Sequence, residues 1–353
     1  MMVALQFAAG FVLLLFGAEY LVRGAVSLAR RLKVTPMIIG MTIVAYGTTS
    51  PELVVSLQAA VDGLPGISVG NVVGSNIANI LLILGASALI YPIVTNGRAL
   101  YRDAAMMMGS ALLFTALAYS GRIERWQGML MVAILIAFSI YAFSVERRKG
   151  KAAELSEDLA QEFKEAPQAT WLAVLSVVGG VVAVVAGARL LVSAAVATAT
   201  ALGVGEEVIG LTIVAVGTSL PELATAVVAA FRRHSEVAVG NIMGAGMYNL
   251  LAIMGLVGSV TPVDVPRQIL VFDLWCMLAV TAMLLMFLLL RGGLSRPVGA
   301  LFLSGFVAYT VLQYYGVERA FAGRPAFTGP ADAQAGTAAT AQDGGPRTER
   351  IGP

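Results

Sequence analysis

Long apolar runs and short polar breaks alternate along this chain. The runs fall at roughly 3–22, 35–61, 67–91, 103–120, 126–145, 170–198, 207–231, 237–260, 269–290 and 297–316. A helix that crosses a bilayer needs about 20 consecutive, mostly apolar residues. In lipid only helices and closed barrels satisfy every backbone polar group. These runs are too long and too continuously apolar for barrel strands, so the pattern predicts an all-α integral membrane protein of about ten transmembrane helices. The longest polar interruption between runs, 146–169, divides them five and five. The expected layout is a first five-helix unit at 1–145, a cytoplasmic linker at 146–169, a second five-helix unit at 170–317 and a tail at 318–353. The tail is rich in Gly, Ala, Pro, Thr and charge, a composition that predicts disorder.

Composition agrees with the pattern. Hydrophobic residues make up 58% of the chain and charged residues 12%, against about 25% charged in soluble domains. A net charge of +2 without a basic run gives nucleic acid no footing. One cysteine, Cys276, excludes a disulfide framework, and one histidine, His234, excludes a multi-histidine metal centre. No nucleotide-binding loop is present, and no resident cofactor is expected. The first apolar run lacks a preceding positive charge and is followed by Glu19 and Arg23 rather than a small-residue cleavage site, so it is read as a retained helix.

Lysine and arginine set the orientation. With the N-terminus outside, the inside loops hold 14 of them and the outside loops hold 3, Arg122, Arg125 and Arg267. Both termini are therefore expected outside the cytoplasm, in a multi-pass protein of the bacterial inner membrane.

The chain also repeats itself. Residues 40–79 align with 210–249 without a gap, and 17 of those 40 positions are identical. The constant offset of 170 extends to Gly17 with Gly187, Leu21 with Leu191, and Asp103 with Asp273. Shared apolarity does not explain matched Gly, Asn, Pro and Glu. Because each half has an odd number of helices, the second enters the membrane upside down. Inverted repeats of this kind place transport sites near the membrane midplane, where the halves meet.

Two acids mark that junction. Glu52 is the only charged residue between Val34 and Val61, and Glu222 the only one between Val208 and Phe231. A charge at the bilayer centre costs at least about 2.5–3.5 kcal/mol, so a lone intramembrane acid is a functional candidate. Pro51 and Pro221 precede them; each removes a helical hydrogen bond and frees a carbonyl one turn earlier, near Gly47 and Gly217. Hydroxyls of Thr48, Thr49, Ser50, Thr218 and Ser219 crowd the same turns. The next helix of each half adds amides: Asn71, Asn76 and Asn79 with Ser75 in the first, Asn241 and Asn249 in the second. Gly70, Gly74, Gly240 and Gly244 fit close helix packing. Carboxylate, hydroxyl, amide and carbonyl form an all-oxygen set, which selects hard cations. Two carboxylates neutralise a divalent ion. Calcium, with six to eight flexible oxygen ligands, fits better than magnesium, and sodium could share subsets of the same oxygens.

The motifs G-T-T-S-P-E at 47–52, G-T-S-L-P-E at 217–222 and G-N-V-V-G-S-N at 70–76 resemble those of the calcium/cation antiporter superfamily, in particular its prokaryotic sodium/calcium exchanger-like members. The resemblance covers both repeats. It implies cation ligands at Thr48, Thr49, Glu52, Ser75 and Asn79 in the first half, and at Thr218, Ser219, Glu222 and Asn249 in the second. Backbone carbonyls of Ala45 and Ala215 join that set. It also implies alternating access, with the first and sixth helices sliding across the rest. The chain departs from the family pattern in the second half, where Ala245 and Gly246 stand in place of Ser and Asn. That departure bears on whether sodium is the coupling ion and in what number. The leading expectation is sodium-coupled calcium extrusion; a proton-coupled antiporter and a passive cation channel are the alternatives. Oligomeric state is not readable from the chain.

Overall fold

The computed structural model describes residues 2–32, 34, 36–95, 98–149, 169–201 and 215–315. Their helices, in chain order, are α1 (Met2–Leu32), α2 (36–61), α3 (65–90), α4 (Arg98–Ala118), α5 (Arg125–Lys149), α6 (Thr170–Ala201), α7 (215–231), α8 (235–260), α9 (269–291) and α10 (Arg296–Tyr315). Each coincides with one of the ten apolar runs. By length and apolarity six of them, α1, α3, α5, α6, α8 and α9, are fit to cross a membrane among the described residues, and α2 makes a seventh if its bent arms count as one span. Several helices outrun their apolar stretch. Helix α1 continues through Arg23, Arg30 and Arg31, because charge ends a bilayer span without ending a helix. Helix α5 likewise carries the first residues of the expected linker, to Lys149. The rest of that linker up to 168, and the whole expected tail, lie outside the described residues.

The two-fold relation read from the sequence is visible in the contacts. Strand β1 (Ile93–Val94) pairs antiparallel with β4 (Gly293–Leu294), and β2 (Arg122–Ile123) pairs with β3 (Val263–Asp264). Each pair is the repeat-mate of the other. Small residues let helix backbones touch at matched points. A Cβ on Gly10 of α1 would lie 2.9 Å from the Gly187 carbonyl of α6, and one on Gly180 would lie 2.8 Å from the Gly17 carbonyl. Gly85 meets Gly299 between α3 and α10 just as Gly128 meets Gly255 between α5 and α8. The last two contacts need an offset of 171 for the fifth helices, so one extra residue lies between Asp273 and Gly292. Helices α1 and α6 thus form one tightly apposed antiparallel pair. The remaining helices form a core in which α3 and α8 are largely buried.

Candidate cation site

Helix α2 runs as Pro36–Ile39, Gly40–Val44, Ala45–Thr48 and Ser50–Val61, and bends by 46° at Thr49. The cause is local. Pro51 sits in the first turn of the second arm, where it has no N–H to donate, so the helix restarts there. Glu52 follows in that first turn, at the positive end of a half-helix dipole, which favours a carboxylate. Helix α7 repeats the construction: Ala215–Thr218, a break at Ser219, then Leu220–Phe231 with Pro221 and Glu222 in the first turn.

Each third helix of a half is also interrupted. Helix α3 passes from Pro65–Ala78 into a π-helical turn, Asn79–Leu84, before Gly85–Ile90. Helix α8 passes from Ser235–Met247 into Tyr248–Ile253, then Met254–Val260. Asn79 and Asn249 both lie in these π-turns. An added residue per turn re-aims side chains and loosens the carbonyl ladder, which is why such turns collect at functional sites.

Four of the predicted ligands, Thr48, Glu52, Ser219 and Glu222, come together across the two halves. Glu52, Glu222, Thr48, Thr49, Ser75, Asn79, Thr218, Ser219 and Asn249 are all buried. The halves interlock at the carboxylates: the Ser219 hydroxyl donates to Glu52 Oε1 at 3.4 Å, and Thr48 stands beside the Glu222 carboxylate. The two carboxylates are close enough for their charges to interact. Buried polar atoms without a protein partner include Glu52 Oε2, both Glu222 oxygens and both side-chain polar atoms of Asn79 and of Asn249; the π-turns that carry the asparagines pack on the acid-bearing arms, Asn79–Leu84 on Leu220–Phe231 and Tyr248–Ile253 on Ser50–Val61. Buried polar groups are nearly always hydrogen-bonded, and leaving one unmade costs about 1–3 kcal/mol. Several in one place, carried by repeat-related residues, are what a hard cation with oxygen ligands would satisfy.

Other candidates serve differently. The Ala45 carbonyl accepts from the Thr49 hydroxyl at 2.8 Å and the Thr48 hydroxyl at 3.3 Å, as well as from the Thr49 N–H at 2.9 Å. Helix α7 is described only from Ala215 on. The carbonyl freed at Gly47 is not left open: the Ser50 hydroxyl donates to it at 2.8 Å. Asn71 donates to Ser56 Oγ at 2.9 Å and to the Glu52 carbonyl at 3.3 Å, fastening α3 to the half-helix that carries the acid. Its repeat-mate Asn241 accepts from the Thr48 hydroxyl at 3.4 Å and keeps a buried, unpartnered Nδ2. Asn241 therefore joins the candidate site, where the resemblance did not place it, though an amide in an apolar run had marked it in the sequence. Asn76 donates to the Val72 carbonyl at 2.8 Å, and its Oδ1 lies 3.0 Å from where a Cβ on Gly246 would be. Gly240 and Gly244 do act in packing, against the Met37 and Met41 carbonyls of α2. Helix α6 presses on both site motifs: a Cβ on Gly47 would lie 2.6 Å from Val181 and one on Gly217 2.3 Å from Val192.

A profile of the sodium/calcium exchanger protein family matches residues 2–144 and 172–315. The protein CaxA of Alkalimonas amylolytica is 36% identical over 86% of this chain and 96% of its own length. The sodium/calcium exchanger MaX1 of Methanosarcina acetivorans is 32% identical over 87% of this chain and 97% of its own. Among solved structures, the sodium-calcium exchanger NCX_Mj soaked with sodium and strontium superposes with a TM-score of 0.77 at 27% identity, covering 88% of this chain and 98% of that one.

Proposed function

From the premise that this chain belongs to the sodium/calcium exchanger family, a multi-pass membrane antiporter by its fold and not an enzyme, we propose that it exports calcium from the cytoplasm against entering sodium. Calcium binds between the Glu52 and Glu222 carboxylates, with oxygens from Thr48, Thr49, Ser75, Asn79, Thr218, Ser219 and Asn249 and the Ala45 and Ala215 carbonyls completing the shell. Sodium uses subsets of those oxygens. The observation that carries this reading is the cluster of buried, unpartnered carboxylate and amide atoms where the repeats meet. Two facing acids repel one another when empty, so one divalent cation or two monovalent cations must neutralise them before the site closes. Calcium and sodium then exclude each other by charge, and alternating access turns that competition into antiport. We place the protein in the bacterial inner membrane with both termini outside, on the lysine and arginine bias.

One observation favours a second reading, in which protons replace sodium as the coupling ion. Ala245 is buried at the position matching Ser75 and brings no side-chain oxygen, so the second half is poorer in ligands for a monovalent metal ion. Calcium flux into proteoliposomes, compared side by side under sodium, potassium and proton gradients, decides between the readings. Sodium-driven uptake alone supports the first, pH-driven uptake alone the second, and flux without any counter-ion gradient would reveal a channel and overturn both.

A further inference from the structure

The repeat alignment carries a charge reversal at two positions outside the cation site. Glu19 of α1 matches Arg189 of α6, and Arg232 at the end of α7 matches Asp62 at the end of α2, both at the offset of 170. The first half thus holds two acids and the second half two bases at corresponding places, so every pairing across the halves joins opposite charges. In this structure the first combination is joined. Arg232 grips Glu19 with both arms of its guanidinium: Nε lies 3.0 Å from Oε2, and Nη2 bonds Oε1. Arg23, one turn along α1, adds Nε at 2.5 Å from Glu19 Oε1. Arg189 and Asp62 are both exposed and form no ion pair among the described residues; Asp62 accepts instead from Gln58 of its own helix at 2.9 Å.

The packing is lopsided in the same sense. Helix α1 lies along Leu220–Phe231, whereas α6 scarcely touches the matching arm Ser50–Val61. The α1–α7 seam is not held by apolar packing throughout. A groove of about 500 Å³ opens in it, lined by Leu15, Phe16, Glu19, Val228, Phe231 and Arg232. Both members of the ion pair line that groove.

In an inverted repeat the second conformation is obtained when the halves exchange their arrangements. Whatever α1 does to α7 now, α6 does to α2 then. From this we infer that Glu19–Arg232 and Arg189–Asp62 are two alternating latches, one closed in each access state, which position the α1/α6 pair at the ends of its travel. The reversed signs have a physical use. Arg189 cannot bind Arg232 and Glu19 cannot bind Asp62, but each latch keeps its own attraction, so neither pair interferes with the other as α1 and α6 slide. The inference rests on alternating access, and not on which ion is coupled.

The test uses cysteine pairs in full-length protein with Cys276→Ser. One variant carries Glu19→Cys and Arg232→Cys, a second carries Asp62→Cys and Arg189→Cys, and a third carries all four. Cross-linking is read in membranes in one fixed buffer. We expect both single pairs to cross-link, and molecules of the four-cysteine variant to carry one link or the other. Adding Glu19→Gln to the 62/189 variant raises that cross-link by about two- to fivefold, as loss of one exposed ion pair shifts a two-state equilibrium. Exchanging the charges, with Glu19→Arg and Arg232→Glu together, returns the yield to its starting value. A merely structural ion pair would not move a cross-link at the opposite end of the molecule. Failure of 62/189 to cross-link, both links in one molecule, or a yield indifferent to Glu19→Gln would overturn the inference. Cross-linking needs no ion flux, so a failed latch and a failed sodium coupling give separate results.

Discussion

The two halves of the cation site share a frame and differ in what they hang on it. Both have a proline-restarted half-helix with a glutamate in its first turn, and both have an asparagine in a π-turn of the third helix. The first half adds Ser75, Asn76 and a Ser50 hydroxyl on the Gly47 carbonyl. The second half has Ala245, Gly246 and Leu220 at those places. The frame fixes where two like negative charges stand, which on the proposed reading is what a divalent ion meets. The accessory oxygens, on the same reading, bear on singly charged cargo of nearly the same size, and so can differ between the halves. On that reading the divalent function belongs to what the halves share and the monovalent preference to what they do not.

The largest effect should come from breaking the shared part. We expect Glu52→Gln and Glu222→Gln each to lower calcium affinity on the order of 100-fold or more and to stop exchange, since each removes half of the charge that neutralises the ion. Isothermal titration with calcium measures the first and vesicle flux the second. The effects should be alike in size, because both acids are buried and hold the same place in their half-helix. Retained exchange in either variant would show that the charges are not shared, and the frame argument would fail with it.

A smaller effect sharpens the unshared part. Ala245→Ser restores to the second half the hydroxyl that Ser75 gives the first. We expect sodium to compete with calcium about three- to tenfold more effectively, the scale of one added hydrogen-bonding oxygen, with calcium binding changed little. Ser75→Ala should move sodium competition the other way. Titrating sodium against bound calcium in the two variants measures both. Equal and opposite shifts would show that position in the half, rather than the half itself, sets monovalent preference.

Much of this frame was legible in the chain. Apolar runs longer than a barrel strand gave the ten helices, because lipid permits little else. A gapless repeat of Gly, Asn, Pro and Glu gave the inversion and the acids. What stayed hidden depends on tertiary contacts. No local signal says that Asn79 and Asn249 sit in π-turns, since that choice is made by neighbouring helices. The proline freed the Gly47 carbonyl as expected, but only the folded turn reveals the Ser50 hydroxyl capturing it. Asn241 meets Thr48 across 193 residues. The Glu19–Arg232 pair joins helices 213 residues apart in sequence, and its charge-reversed mate acquires meaning only once that contact is seen.

The smallest effect concerns the turns that close the half-helices. Gly63 follows α2 with φ +74°, and its repeat-mate Arg233 follows α7 with φ +58°. The left-handed region costs a residue with a Cβ about 1–2 kcal/mol and costs glycine almost nothing. The same turn is thus relaxed in one half and strained in the other. Arg233 recovers part of that cost, since its guanidinium lies 5.6 Å over the Tyr91 ring, a contact worth about 0.5–1 kcal/mol at an exposed site. Arg233→Gly should therefore raise stability by no more than about 1 kcal/mol, because relief of strain and loss of the ring contact oppose each other. Gly63→Ala has no opposing term: nothing lies near its Cβ position, and the full backbone cost of about 1 kcal/mol should appear as a lower midpoint in thermal unfolding in detergent. If Gly63→Ala were neutral while Arg233→Gly stabilised by more than that, strain at this turn would belong to the second half alone, and the halves would differ in backbone as well as in ligands.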